Sequence, residues 1–193
     1  IAPAVEPTRR WLELARLIDI ELEALGKPPL PGAARLRLAR EVARAMDRLL
    51  VEEKTPDDLM SEGVLGMLGD LSEHWQRSIA LFARLQARWL SRLEERGEID
   101  AATRRNQLFE RARRRWRETP PETPIVAAGV TSASHALARM LREIADPPNG
   151  AVILPDLDLE MDAEAWDELG RAGAPGETDG EVFSRDDALT HPQ

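Results

Sequence analysis

The chain contains no cysteine among its 193 residues, and that absence removes disulfides, thiolate zinc sites, iron–sulfur clusters and cysteine nucleophiles together. It has only three histidines, His74, His135 and His191, and no two of them stand at a metal-ligand spacing. No apolar run approaches the roughly 18 residues of a membrane span, and no basic-then-apolar leader opens the chain. These absences predict a cytoplasmic segment with no membrane partner, no metal and no cofactor of its own. Lysine is nearly missing too, since 24 of the 26 basic residues are arginine. The first residue is Ile1, so the chain is expected to be a piece of a longer one.

What is present is enough to fold. Hydrophobic residues make up 42% of the chain, which suits a buried core of ordinary size and argues against extended disorder. The arginine bias suits contacts to phosphate or carboxylate, because the planar guanidinium binds both in a fork. A GC-rich genome produces the same bias with no functional cause. The formal net charge of −9 averages two unlike segments. Through Arg117 there are 22 basic and 19 acidic residues, a net of +3, whereas from Glu118 onward there are 4 basic and 16 acidic, a net of −12.

The basic segment reads as helices. Pro7 and Thr8 precede an apolar stripe of Trp11, Leu14, Ile18, Leu22 and Leu25 at helical spacing, which Gly26 stops. A second stripe runs Leu36, Ala39, Val42, Ala43, Met46, Leu49 and Leu50. Thr55-Pro56-Asp57-Asp58 is a helix start, with a capping hydroxyl, a proline that needs no amide partner, and carboxylates at the positive end of the dipole. A long helix is predicted from Asp70 to Arg96 on Leu71, Trp75, Ile79, Phe82, Leu85, Trp89 and Leu93, ending at Gly97. Asp100 is placed as the cap of a fifth helix, with Leu108, Phe109, Ala112 and Trp116 on its apolar side.

At Pro120-Pro121 the pattern changes. A short apolar run, Pro124 to Ala128, is followed by a loop of small residues from Gly129 to Ser134, a helix from about His135 to Ala145, a turn at Pro147-Pro148-Asn149-Gly150, and a second strand, Ala151 to Leu154. Strand, loop, helix and strand make a βαβ unit with parallel strands. Two strands do not make a stable sheet alone, so either further strands lie outside this chain or helices cover the edge. A last amphipathic stretch spans Met161 to Arg171, and residues 171–193 read as a mobile acidic tail.

Several motifs bear on chemistry. Between Ala101 and Arg117, Arg104, Arg105, Arg111, Arg113, Arg114, Arg115 and Arg117 face only Glu110, a net of +6 on about 25 Å of helix. Such a stripe suits a phosphate backbone, and it suits equally an acidic surface of a protein. The loop Gly129-Val130-Thr131-Ser132 leads into a helix N-terminus and is a candidate anion site, but it lacks the Gly-Lys-Ser/Thr ending of a nucleotide-hydrolysing loop. Asp156, Asp158, Glu160 and Asp162 alternate, yet Met161 and Asp167 stand where a calcium loop needs glycine and glutamate. They read as the acidic start of a helix. A Ser132 and His135 nucleophile pair has no orienting acid in view. The five tryptophans fall mostly on apolar helical faces and are read as core.

Four stretches in order resemble one family: Glu73-His74-Trp75-Gln76-Arg77-Ser78, Ile99-Asp100-Ala101-Ala102-Thr103-Arg104-Arg105-Asn106, Pro124 to Ser134, and Gly150-Ala151-Val152-Ile153-Leu154-Pro155-Asp156-Leu157-Asp158. Their order and spacing are similar to AddB, the second subunit of the AddAB helicase–nuclease, in its alphaproteobacterial form. The closing Thr190-His191-Pro192-Gln193 is similar too. The resemblance implies a piece of an inactivated helicase-like region that holds DNA beside an AddA-type partner carrying the motor chemistry. It also implies that Ala127 and Ala128 stand where active helicases carry an acidic pair, and Leu154-Pro155-Asp156 where they carry a sensor motif. Without that pair nothing holds magnesium or positions the attacking water. Relatives carry Gly-Ser-Thr-Gly-Ser where this chain has Gly129-Val130-Thr131-Ser132-Ala133, one glycine fewer for cradling phosphate.

The expectation is therefore a mainly α chain: a helical insertion domain over residues 1–118, a partial α/β helicase-like core segment over 119–170, and a tail over 171–193. DNA-binding or partner-binding is assigned to Arg104, Arg105, Arg113, Arg114 and Arg117, and a weaker anion site to Gly129, Thr131 and Ser132. No catalytic residue is assigned. The alternative is a protein-interaction module whose basic helix binds an acidic surface and touches no DNA.

Overall fold

The computed structural model describes residues 1–60, 73–155, 158 and 160–172. Among these the chain is mainly helical, with one small parallel sheet: α1 (Pro7–Ala24), α2 (Gly32–Val51), α3 (Pro56–Leu59), α4 (Glu73–Arg96), α5 (Ala101–Glu118), β1 (Ile125–Ala128), α6 (His135–Ala145), β2 (Gly150–Ile153) and α7 (Ala163–Ala172). The expected starts at Asp70 and Leu71, the acid at Asp156, His191 and the end of the tail lie outside the described residues. The last helix ends at Ala172, one residue past the Arg171 expected for the last amphipathic stretch.

The predicted stripes become one core. Leu14, Leu17 and Ile18 of α1 meet Ala39, Val42, Ala43 and Met46 of α2 and Leu85, Trp89 and Leu93 of α4, all buried. Burying each of the larger aliphatic side chains among these contributes about 1.5–3 kcal/mol. The cap of α1 is Glu6, one residue before Pro7, and its carboxylate accepts from the Thr8 and Arg9 amides at 2.9 and 2.7 Å. Thr55 caps α3 as expected, in a reciprocal box with Asp58. Gly97, at φ +62°, closes α4 in the left-handed region that glycine occupies without strain.

Two expectations need correction. Trp75, placed on the core stripe of α4, is 57% exposed, because the buried residues of that helix begin at Ala83. Asp100 stands at the cap position of α5 but its side chain caps nothing. It is drawn into the body instead, where both carboxylate oxygens accept from Trp89 Nε1 at 3.1 and 3.0 Å. Buried Arg10 lies against it, Nε to Oδ1 at 2.9 Å, with Arg10 Nη1 donating to Asp47 at 2.7 Å. The Nε contact is ionic, since that N–H lacks hydrogen-bond geometry. Asn106 performs a second structural task from the same stretch: its Nδ2 donates to the Leu50 and Val51 carbonyls at 2.9 and 3.2 Å, closing the C-terminus of α2.

A further seam joins α1 to α4. Glu21 pairs with Arg84 and Arg88 at 3.1 and 2.7 Å, and Glu13 with Arg96 and Arg92 at 2.5 and 3.9 Å. Arginines four residues apart share one helix face, so the sequence spacing itself builds this ladder.

Beyond α5 the strands pair in parallel, Ile125 with Gly150 through Ala128 with Ile153. Helix α6 covers one face with Ala136, Met140 and Ile144. Gly150 has no alternative residue here, because a Cβ on it would stand 1.8 Å from the Ile144 carbonyl oxygen. The other face is open, with Val126 59% and Ile153 58% exposed.

Candidate nucleic-acid interface

Helix α5 links the two parts of the molecule, packing on α2 along one flank and on α6 along the other. Its contacts with α6 run in register: Arg139 lies 3.9 Å from Glu110, and Arg117 donates to Glu143 at 2.9 Å. The two helices therefore lie side by side with the same direction. The expected apolar side of α5 is thin, with Leu108 43% exposed and only Ala102 and Asn106 buried. Phe109, Ala112 and Trp116 of that side are half-buried, and ion pairs to α6 add to them.

The five predicted arginines divide. Arg113 makes two hydrogen bonds to Glu110, at 2.9 and 2.8 Å, and Arg114 a third at 2.9 Å. Those bonds, that from Arg113 first, hold the Glu110 carboxyl down to a pKa of about 2, so it is ionised at neutral pH. Glu143 is shared by Arg117 and, at 3.8 Å, Arg113. Arg104 and Arg105, at the other end of the helix, have no carboxylate within ion-pair distance among the described residues, and neither do Arg111 and Arg115.

The fold adds cations that lie outside the predicted run. Arg139 and Arg142 of α6 border a groove of about 480 Å³ against Arg113 and Arg117, with Trp116 between them. Arg142 is exposed and has no acidic partner among the described residues. The three-residue spacing of Arg139 and Arg142 on one helix, and the four-residue spacing of Arg84 to Arg96, were the sequence signals for both features. On its α2 flank α5 borders a second groove, of about 510 Å³, where Arg111 and Arg114 face Lys54 and Leu50.

The small-residue loop is separate. Gly129 takes φ +77°, its N–H donates to Ile153 O at 3.1 Å, and Thr131 and Ser132 are exposed. The loop enters α6 at His135, so Arg142 stands about 10 Å further along the helix axis. The structure thus does not gather the loop and the arginine groove into one site. No hydrogen bond joins Ser132 to His135 among the described residues. Likewise among the described residues, no group of His, Asp or Glu is placed to hold a metal, and no helix is long and apolar enough to cross a membrane.

Comparison with protein-family models, with curated proteins and with solved structures found no match.

Proposed function

We propose that this chain is a non-catalytic, DNA-associated segment of an AddB-type subunit of a double-strand-break repair helicase–nuclease, working in the cytoplasm beside an AddA-type subunit. On this reading residues 1–118 are the helical insertion and the βαβ unit is part of an inactivated helicase-like core. The observation that carries the DNA reading is the surplus of arginine along α5 and α6. Glu110 and Glu143 occupy Arg113, Arg114 and Arg117, while Arg104, Arg105, Arg111, Arg115 and Arg142 keep free guanidinium groups among the described residues. Free arginines release counterions when they meet phosphates, which makes binding favourable and salt-dependent. The four stretches that resemble AddB add the family, and Ala127 and Ala128 at the end of β1 are consistent with a segment that hydrolyses nothing.

A second reading, subunit assembly, is favoured by the open sheet face at Val126 and Ile153, since parallel sheets are ordinarily covered on both faces. The two readings are compatible, one using the arginine helices and the other the sheet. Salt-titrated binding of single- and double-stranded DNA to the chain tests the first. Arg104→Glu with Arg105→Glu removes two unpaired cations without breaking an ion pair among the described residues, and is expected to weaken binding at least tenfold at low salt. Undetectable affinity of the unaltered chain at low salt would leave assembly as its role.

A further inference from the structure

Of the arginines on α5 that have no carboxylate within ion-pair distance among the described residues, three fall on one line. Arg104, Arg111 and Arg115 follow one another at seven and four residues, so they lie within about 40° of each other round the helix and span about 16 Å along it. Arg111 and Arg115 are exposed and Arg104 is half-exposed. Leu108 stands among them and is 43% exposed, so this side of α5 is open to solvent. Glu110, which Arg113 and Arg114 occupy, lies about 100° or more away from the line. Arg105 is about 100° from Arg104, on another side of the helix. The acid of α5 nearest the line is Glu118, three residues past Arg115 at the end of the helix, and it makes no ion pair among the described residues.

A row of unpaired cations attracts a row of anions, and a strand of DNA in a duplex presents one phosphate about every 3.4 Å of its axis. The 16 Å line, at about that spacing, runs beside roughly five phosphates and offers three of them an arginine. A partner protein fits less well, because interfaces between proteins keep charge away from their centre, and this line is guanidinium throughout with a single exposed leucine. We infer that DNA lies along the Arg104, Arg111 and Arg115 line of α5 and is held there by its phosphates alone. The rings of the helix, Phe109 and Trp116, are half-buried on another side, so the line offers no face on which a base would stack. Contacts to phosphate position a nucleic acid without reading it, so binding here is indifferent to base sequence and open to single and double strands alike. The inference rests on the DNA reading above and adds which cations carry it and what they touch.

The test measures binding of a labelled duplex and of a labelled single strand to the full chain across a salt series, with thermal unfolding as a check on each variant. Arg111→Gln and Arg115→Gln break no ion pair among the described residues. Each is expected to reduce the slope of log K against log salt by about 0.9 on the duplex and about 0.7 on the single strand. Arg105→Gln, off the line, is expected to leave the slope unchanged. Glu118→Gln removes the acid at the end of the line and is expected to tighten binding about twofold at low salt, a gain that loss of folding does not mimic. Duplexes of different base sequence are expected to bind equally. A slope that Arg105→Gln lowers as much as Arg111→Gln does, or affinities for two duplex sequences that differ about tenfold or more, overturns the inference and leaves the DNA reading standing. An unaltered chain that binds neither nucleic acid at low salt overturns both.

Discussion

Glu110 is the residue on which the charge of α5 turns. It holds Arg113 and Arg114 at 2.8–2.9 Å and is itself held ionised by them, down to about pH 2. The stability it contributes is fully present above the ordinary carboxylate pKa of 4.5 and is lost as pH falls toward about 2. Mild acid therefore does not release its arginines, whereas Glu110→Gln does. That variant is expected to bind DNA more tightly at low salt and to steepen the salt dependence by about 1–2 units of slope, one for each phosphate gained. Unchanged or weaker binding in a salt titration would mean that these arginines serve only the packing of α5. Asp100 carries the opposite sign. Burial pushes its carboxyl up against the pull of Arg10 and Trp89, so its ionised form costs stability near neutral pH, and acidification through the carboxylate range favours the fold at this residue. Removing it is worse than keeping it, because Arg10 and the Trp89 N–H remain buried. Asp100→Ala is expected to lose about 3 kcal/mol in denaturant unfolding. Asp100→Asn keeps an acceptor for Trp89 and is expected to lose less.

At the scale of elements, most of the architecture was legible in the sequence. The helical spacing of Leu14, Ile18, Val42, Met46, Leu85 and Trp89 marks the faces that became the core. The change from a helical to a strand pattern after Pro120 likewise marks the βαβ unit. Legibility failed where a polar side chain chose among partners. Asp100 reads locally as a cap, and only the fold brings Trp89 and Arg10 to it. The same limit applies to the candidate site: the run of arginines on α5 was visible, but the acids that occupy some of them, Glu143 among these, and the second wall of the groove come from α6. Gly150 tests how independent the βαβ unit is. Gly150→Ala drives a methyl group into the Ile144 carbonyl, and is expected to cost about 3 kcal/mol or more, confined to β1, α6 and β2. Hydrogen exchange should then show lost protection there while α1, α2 and α4 keep theirs. A uniform loss would mean that the two parts unfold as one.

Over the whole molecule, a net charge of −9 conceals a helical body of +3 and a remainder of −12, and α5 lies at the junction of the two. The arginines of α5 and α6 thus serve two ends. Part of their charge ties the βαβ unit to the helical body through Glu110 and Glu143, and the surplus faces outward. On the reading proposed above, this surplus meets the phosphates of DNA. The most direct test of that reading is the affinity of the unaltered chain for a single strand across a salt series. If about four phosphates are neutralised, log K falls with log salt at a slope of about −3, and Arg104→Glu with Arg105→Glu reduces that slope by about 1–2. An affinity too weak to measure at low salt, or one that salt does not change, would contradict that reading.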